Sequence, residues 1–298
     1  MSDQSHIQWT DATWNPVVGC SRVNRDCDHC YAVNQSYRNE RMGSKKYAGL
    51  TVLNPRGERH FNGVVRCNAK ALRIPLRWRE ARMVFVNSMS DLFHPGIYNE
   101  FIAKVFAVMA LCPQHTFQIL TKRPRRMAYF LVDDDEEFSP GVGVREAVYQ
   151  EMLKLSLPTK PAYPKWPLPN VWLGVSFGHQ KAADEMIPPL QRCPAAVRFI
   201  SYEPALEQVD FMGIKGIDWL ICGGESGPDA RPFDLAWARS ARDQCRAAGT
   251  AFYLKQVGAK PLEDGHTIKL CCVKGGCIAE IPEDLRIREF PAARKAEP

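Results

Sequence analysis

The chain has 298 residues, of which 45% are hydrophobic and 24% charged, so a disordered, collagen-like or purely coiled-coil protein is excluded. No run approaches the ~20 apolar residues of a membrane helix, and the polar start Met1–His6 lacks the apolar stretch of a signal peptide, so a soluble, cytoplasmic protein with no membrane partner is expected. The net charge of +6 is a mild basic bias, compatible with an anionic partner without requiring one.

In chain order, the first strand is expected around Trp14–Gly19. Further strands follow at Met83–Asn87, His115–Thr121, Val171–Ser176, Val197–Ser201, Ile217–Cys222 and Ala251–Lys255. Their nearly continuous apolar character suits a parallel sheet covered on both faces. Helical periodicity falls between them, at Asn99–Leu111, Arg125–Leu131, Gln180–Gln191 and Leu235–Ala248. Alternating strands and helices predict right-handed βαβ units. Their number points to an α/β fold of the partial (βα)6-type barrel class more than to a doubly wound sheet. Residues 1–260 are read as that barrel, with insertions at about 34–82 and 133–169, and residues 261–298 as a short C-terminal tail. The second insertion holds the acidic run Asp133–Glu137, read as a solvated loop. It also holds the proline-rich connection Pro158–Pro169, read as a semi-rigid surface link.

Each strand ends in polar residues or glycine. The series runs through Asn87, Ser88, Ser90 and Asp91, then Thr121, Lys122 and Arg123. It continues with Ser176, with Ser201 and Glu203, with Gly223, Gly224 and Glu225, and with Lys255 and Gln256. The carboxyl ends of barrel strands form the rim on which active sites sit, so these residues are candidates for ligand binding. Each also has a plainer reading. Asp91 would cap a helix, Gly223–Gly224 would form a turn, and a lysine–glutamate pair would be structural.

The chain has eleven cysteines. Cys112, Cys193, Cys222 and Cys245 lie singly in apolar or helical contexts and are read as small core residues. Cys20, Cys27 and Cys30 form C-x6-C-x2-C on the loop after the first strand. A structural zinc site closes with four ligands, and His29 would complete a Cys3His set. A three-thiolate iron–sulfur cluster instead leaves one iron open to a small molecule. The cluster is favoured, because the loop follows a barrel strand and is not an independent finger. Cys271, Cys272 and Cys277 form C-C-x4-C. Adjacent cysteines do not easily offer both thiols to one metal, so a second cluster is only the alternative there.

Three cysteines after the first strand of a partial barrel resemble the radical S-adenosylmethionine (SAM) enzymes, although their usual spacing is C-x3-C-x2-C. A longer resemblance covers the chain to about residue 260. Trp9–Cys20, Cys27–Ala32, Asn87–His94, Leu120–Pro124, Leu173–Ser176, Ser201–Leu206, Gly223–Gly227, Ala230–Phe233 and Leu254–Gly258 are similar, block by block, to a phage and prophage family labelled gp thirty-seven/gp sixty-eight. The phage-family resemblance implies the fold and a three-cysteine cluster, and the radical SAM resemblance makes it a [4Fe-4S] cluster on Cys20, Cys27 and Cys30, with SAM as co-substrate and an electron donor as partner. It also implies that Ser88, Ser90 and Asp91 meet the methionine ammonium. Ser176 and Glu203 would meet the ribose or carboxylate, with Gly223 and Gly224 allowing close approach. Lys122, Glu225 and Lys255 are assigned to the substrate or the chemistry.

Basic residues gather in two places. Arg66, Lys70, Arg73, Arg77, Arg79 and Arg82 flank Trp78, and Lys122, Arg123, Arg125 and Arg126 follow a strand. Such clusters fit phosphate contacts with an aromatic stacked on a base. The plainer reading is a solvated helix face. The function expected is radical SAM chemistry on an unidentified substrate, with a nucleic acid or modified nucleotide in view. The alternative is a non-enzymatic nucleic-acid-binding protein with a structural zinc or iron–sulfur site. A zinc hydrolase ranks lower, because no histidine-rich ligand set stands at the strand ends.

Overall fold

The computed structural model describes residue 5 and residues 7–132, 143–156 and 158–292. The acidic run Asp133–Glu137 and most of the start Met1–His6 lie outside the described residues. The fold is mixed α/β, and its principal sheet has seven strands: β1 (Ala12–Trp14), β2 (Met83–Val86), β3 (Thr116–Thr121), β4 (Val171–Ser176), β5 (Val197–Tyr202), β6 (Trp219–Gly223) and β7 (Ala251–Gln256). The helices are α1 (Tyr31–Arg41), α2 (Asn99–Ala110), α3 (Pro124–Leu131), α4 (Val144–Ser156), α5 (Gln180–Arg192) and α6 (Leu235–Ala248). Among the described residues no helix is long and apolar enough to cross a membrane.

The chain divides into two compact units. The first is 1–173 with 192–196, and the second is 174–191 with 197–298. In the first unit strand order is β1-β2-β3-β4, with β1·β2 and β2·β3 parallel. The expected strand at Trp14–Gly19 begins earlier and breaks after Trp14. Pro16 has no N–H for a ladder, and the Asn15 side chain bonds to Ser88 and to the Met89 amide instead. Val17–Val18 then pairs antiparallel with Arg66–Cys67. The insertion after the cysteines holds α1 and the hairpin Thr51–Leu53/Arg59–Phe61. The insertion at 133–169 holds α4, which buries Val144, Val148 and Met152 at helical spacing. The core is aromatic, with Trp14 against Phe117 at 5.7 Å and Phe106 against Phe130 at 5.7 Å.

In the second unit the order is β4-β5-β6-β7, with β5·β6 and β6·β7 parallel. Asp234 caps α6 by accepting the Ala236 amide at 2.9 Å, and Gly249 ends the helix. The segment after residue 260 returns to this unit. Leu254 N–H donates to Ile287, and Glu289 N–H donates to Phe252. Trp219 is fully buried, donates to the Glu289 carbonyl at 2.9 Å and lies 5.1 Å from Phe290. Truncating such a side chain costs about 3–5 kcal/mol, so these terminal residues help complete the unit's core. Cys222 and Cys245 are buried in this unit, and Cys112 and Cys193 in the first.

Candidate functional site

The cysteine loop belongs to the first unit. Asn24 caps the 3-10 turn Arg25–Cys27 by accepting the Asp26 amide at 3.1 Å, and Cys30 stands at the N-cap of α1. The loop is therefore built by two helix starts in succession, which turn Cys27 and Cys30 back on each other. Cys20 and Cys30 lie within reach of each other's charge, as do Cys27 and Cys30. Burial raises the Cys20 thiol to about 12, with the Asp91 carboxylate adding to the effect and Arg123 opposing it. Burial likewise raises Cys30, while the amides of Ala32 and Val33 pull towards the thiolate.

Arg123 organises the surroundings of Cys20. Its Nη1 donates to Asp91 Oδ2 at 2.8 Å and to Cys20 Sγ at 3.7 Å. Its Nη2 donates to the Ser21 carbonyl at 3.0 Å and to Ser21 Oγ at 2.9 Å. Asp91 is filled by donors: Phe93 N–H and Thr121 Oγ1 on Oδ1, Lys122 N–H and Arg123 on Oδ2. Four donors occupy the four lone-pair positions of a carboxylate. His94 Nδ1 accepts the Gly96 amide at 3.1 Å, so Nε2 carries the proton and donates to Ser21 Oγ at 2.9 Å. Burial, reinforced by Arg123, lowers the imidazole from 6.5 to about 4, and the ring is neutral.

Ser88 and Ser90 stand beside this network and are tied into the loop. Ser88 Oγ pairs with the Asn15 amide, its carbonyl accepts Tyr31 Oη at 2.7 Å, and Ser90 Oγ donates to the Val17 carbonyl at 2.9 Å. The roles of Asn15, Ser21 and His94 are not legible in the sequence, because Asn15 meets Ser88, and Ser21 meets Arg123 and His94, across separations of 73 to 102 residues.

In the second unit, Ser176, Glu203, Gly223 and Lys255 come together. Lys255 Nζ lies 2.9 Å from Glu203 Oε1, Ser201 Oγ donates to Oε2 at 3.1 Å, and Ser176 Oγ donates to the Glu203 carbonyl at 3.0 Å. A Cβ on Gly223 would sit 2.6 Å from Glu203 Oε1, and one on Gly224 would sit 2.6 Å from the Val257 carbonyl. The bare backbone of both glycines therefore accommodates the protein's own groups. Glu225 stands apart from this group. It is buried and takes three donors from Arg231: the amide at 2.9 Å, Nε at 3.0 Å and Nη2 at 2.7 Å.

The basic residues separate by exposure. Lys70, Arg73, Arg77, Arg79 and Arg125 are exposed. Arg66 donates to the Lys46 carbonyl, Arg82 lies 5.2 Å from the Trp78 ring, and Arg126 donates to the carbonyls of His94 and Ile97. Arg123 and Arg126 are thus committed inward, and Lys122 lies within charge reach of Cys30.

The match to known families is broad. A family described as protein of unknown function (DUF5131) matches residues 4–279, and the chain belongs to it. Neither the curated proteins nor the solved structures contain a match to the chain.

Proposed function

We propose that this chain is a radical SAM-type enzyme on a partial barrel, in which Cys20, Cys27 and Cys30 hold a [4Fe-4S] cluster. The observation that carries the reading is the cysteine loop: three soft thiols on one loop after β1, with Cys30 within charge range of both Cys20 and Cys27 and Arg123 directed at the Cys20 sulfur. Thiolates are the ligands of such clusters, and hydrogen bonds to their sulfurs are one of the protein's means of tuning them. Among the described residues no three of His, Cys, Asp and Glu converge on one metal-sized point. Loading would therefore require the thiols to close up, and a closed zinc site would also need His29, which is exposed, as its fourth ligand. When bound, such a cluster supplies the electron that cleaves SAM.

The chain's own groups divide the remaining work. Arg123 and Lys122 offset the negative charge of three thiolates. Asp91, already filled by donors, acts through Arg123 as a positioning residue, leaving Ser88 and Ser90 as the polar groups beside the loop. Glu203, held by Lys255 and Ser201, offers a fixed acceptor for a hydroxyl or ammonium. Ser176 fixes its backbone. Lys122 and Lys255 supply positive charge for an anionic substrate, whereas Glu225 braces the turn to Arg231. The exposed cations Lys70, Arg73, Arg77 and Arg79 favour a nucleic acid or modified nucleotide as that substrate. An electron donor completes the set of partners.

The test is anaerobic purification with iron and sulfide analysis. The reading expects broad visible absorption, near-complete loss of iron in Cys20→Ala, Cys27→Ala and Cys30→Ala, and retention of iron in Cys112→Ala. SAM should perturb the electron paramagnetic signal of the reduced protein. A colourless protein containing stoichiometric zinc would overturn the proposal in favour of a structural metal site in a nucleic-acid-binding protein.

A further inference from the structure

A second group of thiols lies far along the chain, in the second unit. The Glu280 carboxylate accepts the amides of Cys271 at 2.5 Å and Cys272 at 3.0 Å. The Cys272 carbonyl accepts Gly275 N–H at 2.8 Å, which closes a turn. That turn is fastened to the body of the unit. The Gly275 carbonyl accepts Val257 N–H at 2.9 Å, and Arg288 donates to the Gly276 carbonyl at 3.3 Å. Gly275 has φ +63°, and a Cβ there would lie 2.3 Å from the Gly258 carbonyl, so glycine alone allows this approach.

The fastened turn gathers the amides of Lys274, Gly275, Gly276 and Cys277 around Cys272, where their dipoles favour its thiolate. Successive N–H groups around one atom make an anion-binding concavity, and here the anion is the chain's own thiolate. The amides hold the Cys272 thiol below its ordinary value of 9.0. Burial pushes Cys20, Cys30, Cys67, Cys112, Cys222 and Cys245 the other way. The Cys277 amide is among those favouring the Cys272 thiolate, so the two residues belong to one turn. Cys271 and Cys277 are exposed and Cys272 is half-buried, within reach of small reagents. Adjacent residues have Cα atoms about 3.8 Å apart, closer than the roughly 4.4–6.8 Å of ordinary disulfides. Cys277 is therefore the better partner for Cys272 than Cys271.

We propose that Cys272 is a redox-reactive thiolate, oxidised by a hydroperoxide and resolved by Cys277. The sulfur attacks the terminal peroxide oxygen and the O–O bond breaks. The sulfur becomes a sulfenic acid, and the peroxide, after taking a proton, leaves as an alcohol, or as water when it is hydrogen peroxide. The Cys277 sulfur then attacks Cys272, an S–S bond forms, and the sulfenic hydroxyl leaves with the Cys277 proton as water. Two thiols are oxidised and one hydroperoxide is reduced. No residue of the first unit takes part in either step.

The test treats the full chain with one equivalent of hydrogen peroxide, blocks remaining thiols with N-ethylmaleimide and maps tryptic peptides by mass. The expected product is a disulfide joining the peptides on either side of Lys274. Cys271→Ser should leave it intact. Cys272→Ser should abolish it, with Cys271 and Cys277 both alkylated, and Cys277→Ser should leave a dimedone-trappable sulfenic acid on Cys272. Iodoacetamide at neutral pH should label Cys272 on the order of tenfold faster than Cys277. Equal labelling of the three thiols, or a Cys271–Cys277 disulfide in the Cys272→Ser protein, would overturn the proposal. Circular dichroism of each variant excludes unfolding as the cause.

Discussion

Replacing Arg123 by Met keeps the length of the side chain and removes a guanidinium that makes four hydrogen bonds, two of them to Ser21, one to Asp91 and one to Cys20. The Arg123 and Asp91 side chains are only 13% and 7% exposed, so water does not replace the lost partner. Breaking a buried ion pair from one side costs about 3–5 kcal/mol. The lower end is expected for Arg123→Met, because Asp91 keeps Phe93 N–H, Thr121 Oγ1 and Lys122 N–H. Asp91→Ala should reach the upper end, since it strands a buried cation and three further donors at once. The double variant should be less destabilised than the sum of the two, by roughly 1–3 kcal/mol, as expected for residues in one network. Urea unfolding followed by tryptophan fluorescence reads these differences as midpoint shifts at constant slope. A cost below about 1 kcal/mol for Arg123→Met, or strict additivity in the cycle, would show that this network does not anchor the cysteine loop.

Three other perturbations have defined outcomes. Gly223→Ala places a Cβ 2.6 Å from Glu203 Oε1, so it should displace the carboxylate from Lys255 and cost about 1–3 kcal/mol; an unchanged unfolding midpoint would show that Glu203 moves aside freely. His94 is lowered from 6.5 to about 4, so the unfolded chain binds its proton first. Stability from this group is present above pH 6.5 and falls between 6.5 and about 4, by up to about 1.4 kcal/mol per pH unit; His94→Asn should flatten that limb of a stability–pH curve, and an identical limb would refute it. Under the proposed reading with a nucleic-acid substrate, Arg73→Glu with Arg77→Glu should reduce the salt dependence of that binding, by about one unit of log–log slope per lost phosphate contact; parent and variant slopes that coincide would point to a small-molecule substrate.

The sheet strands after the first, and the four helices expected between them, were legible in the sequence because their signal is local. Val171–Ser176 and Leu235–Ala248 have the bounds that apolar runs and helical periodicity predict. Elements inside the two insertions were not legible, because α1 and α4 carry mixed faces whose buried side is chosen by what they lie against. The first strand ends sooner than Val17 and Val18 suggest, because Pro16 lacks a ladder N–H and the Asn15 side chain bonds to Ser88 and Met89 far along the chain.

The sequence by itself determined that Cys20, Cys27 and Cys30 share one loop and that polar residues end each strand. Only the tertiary structure decided which of those residues meet. Arg123 resembles its basic neighbours in sequence, and lies 103 positions from Cys20, but the fold turns it inward while Arg125 stays exposed. Lys255 and Glu225, both charged rim residues, divide in the same way: one joins Glu203 and the other is held by Arg231. The physical reason is range. Backbone propensity and hydrophobic period act over a few residues, whereas a charge takes the partner that the packed chain brings within about 4 Å, and that partner has no fixed separation in sequence.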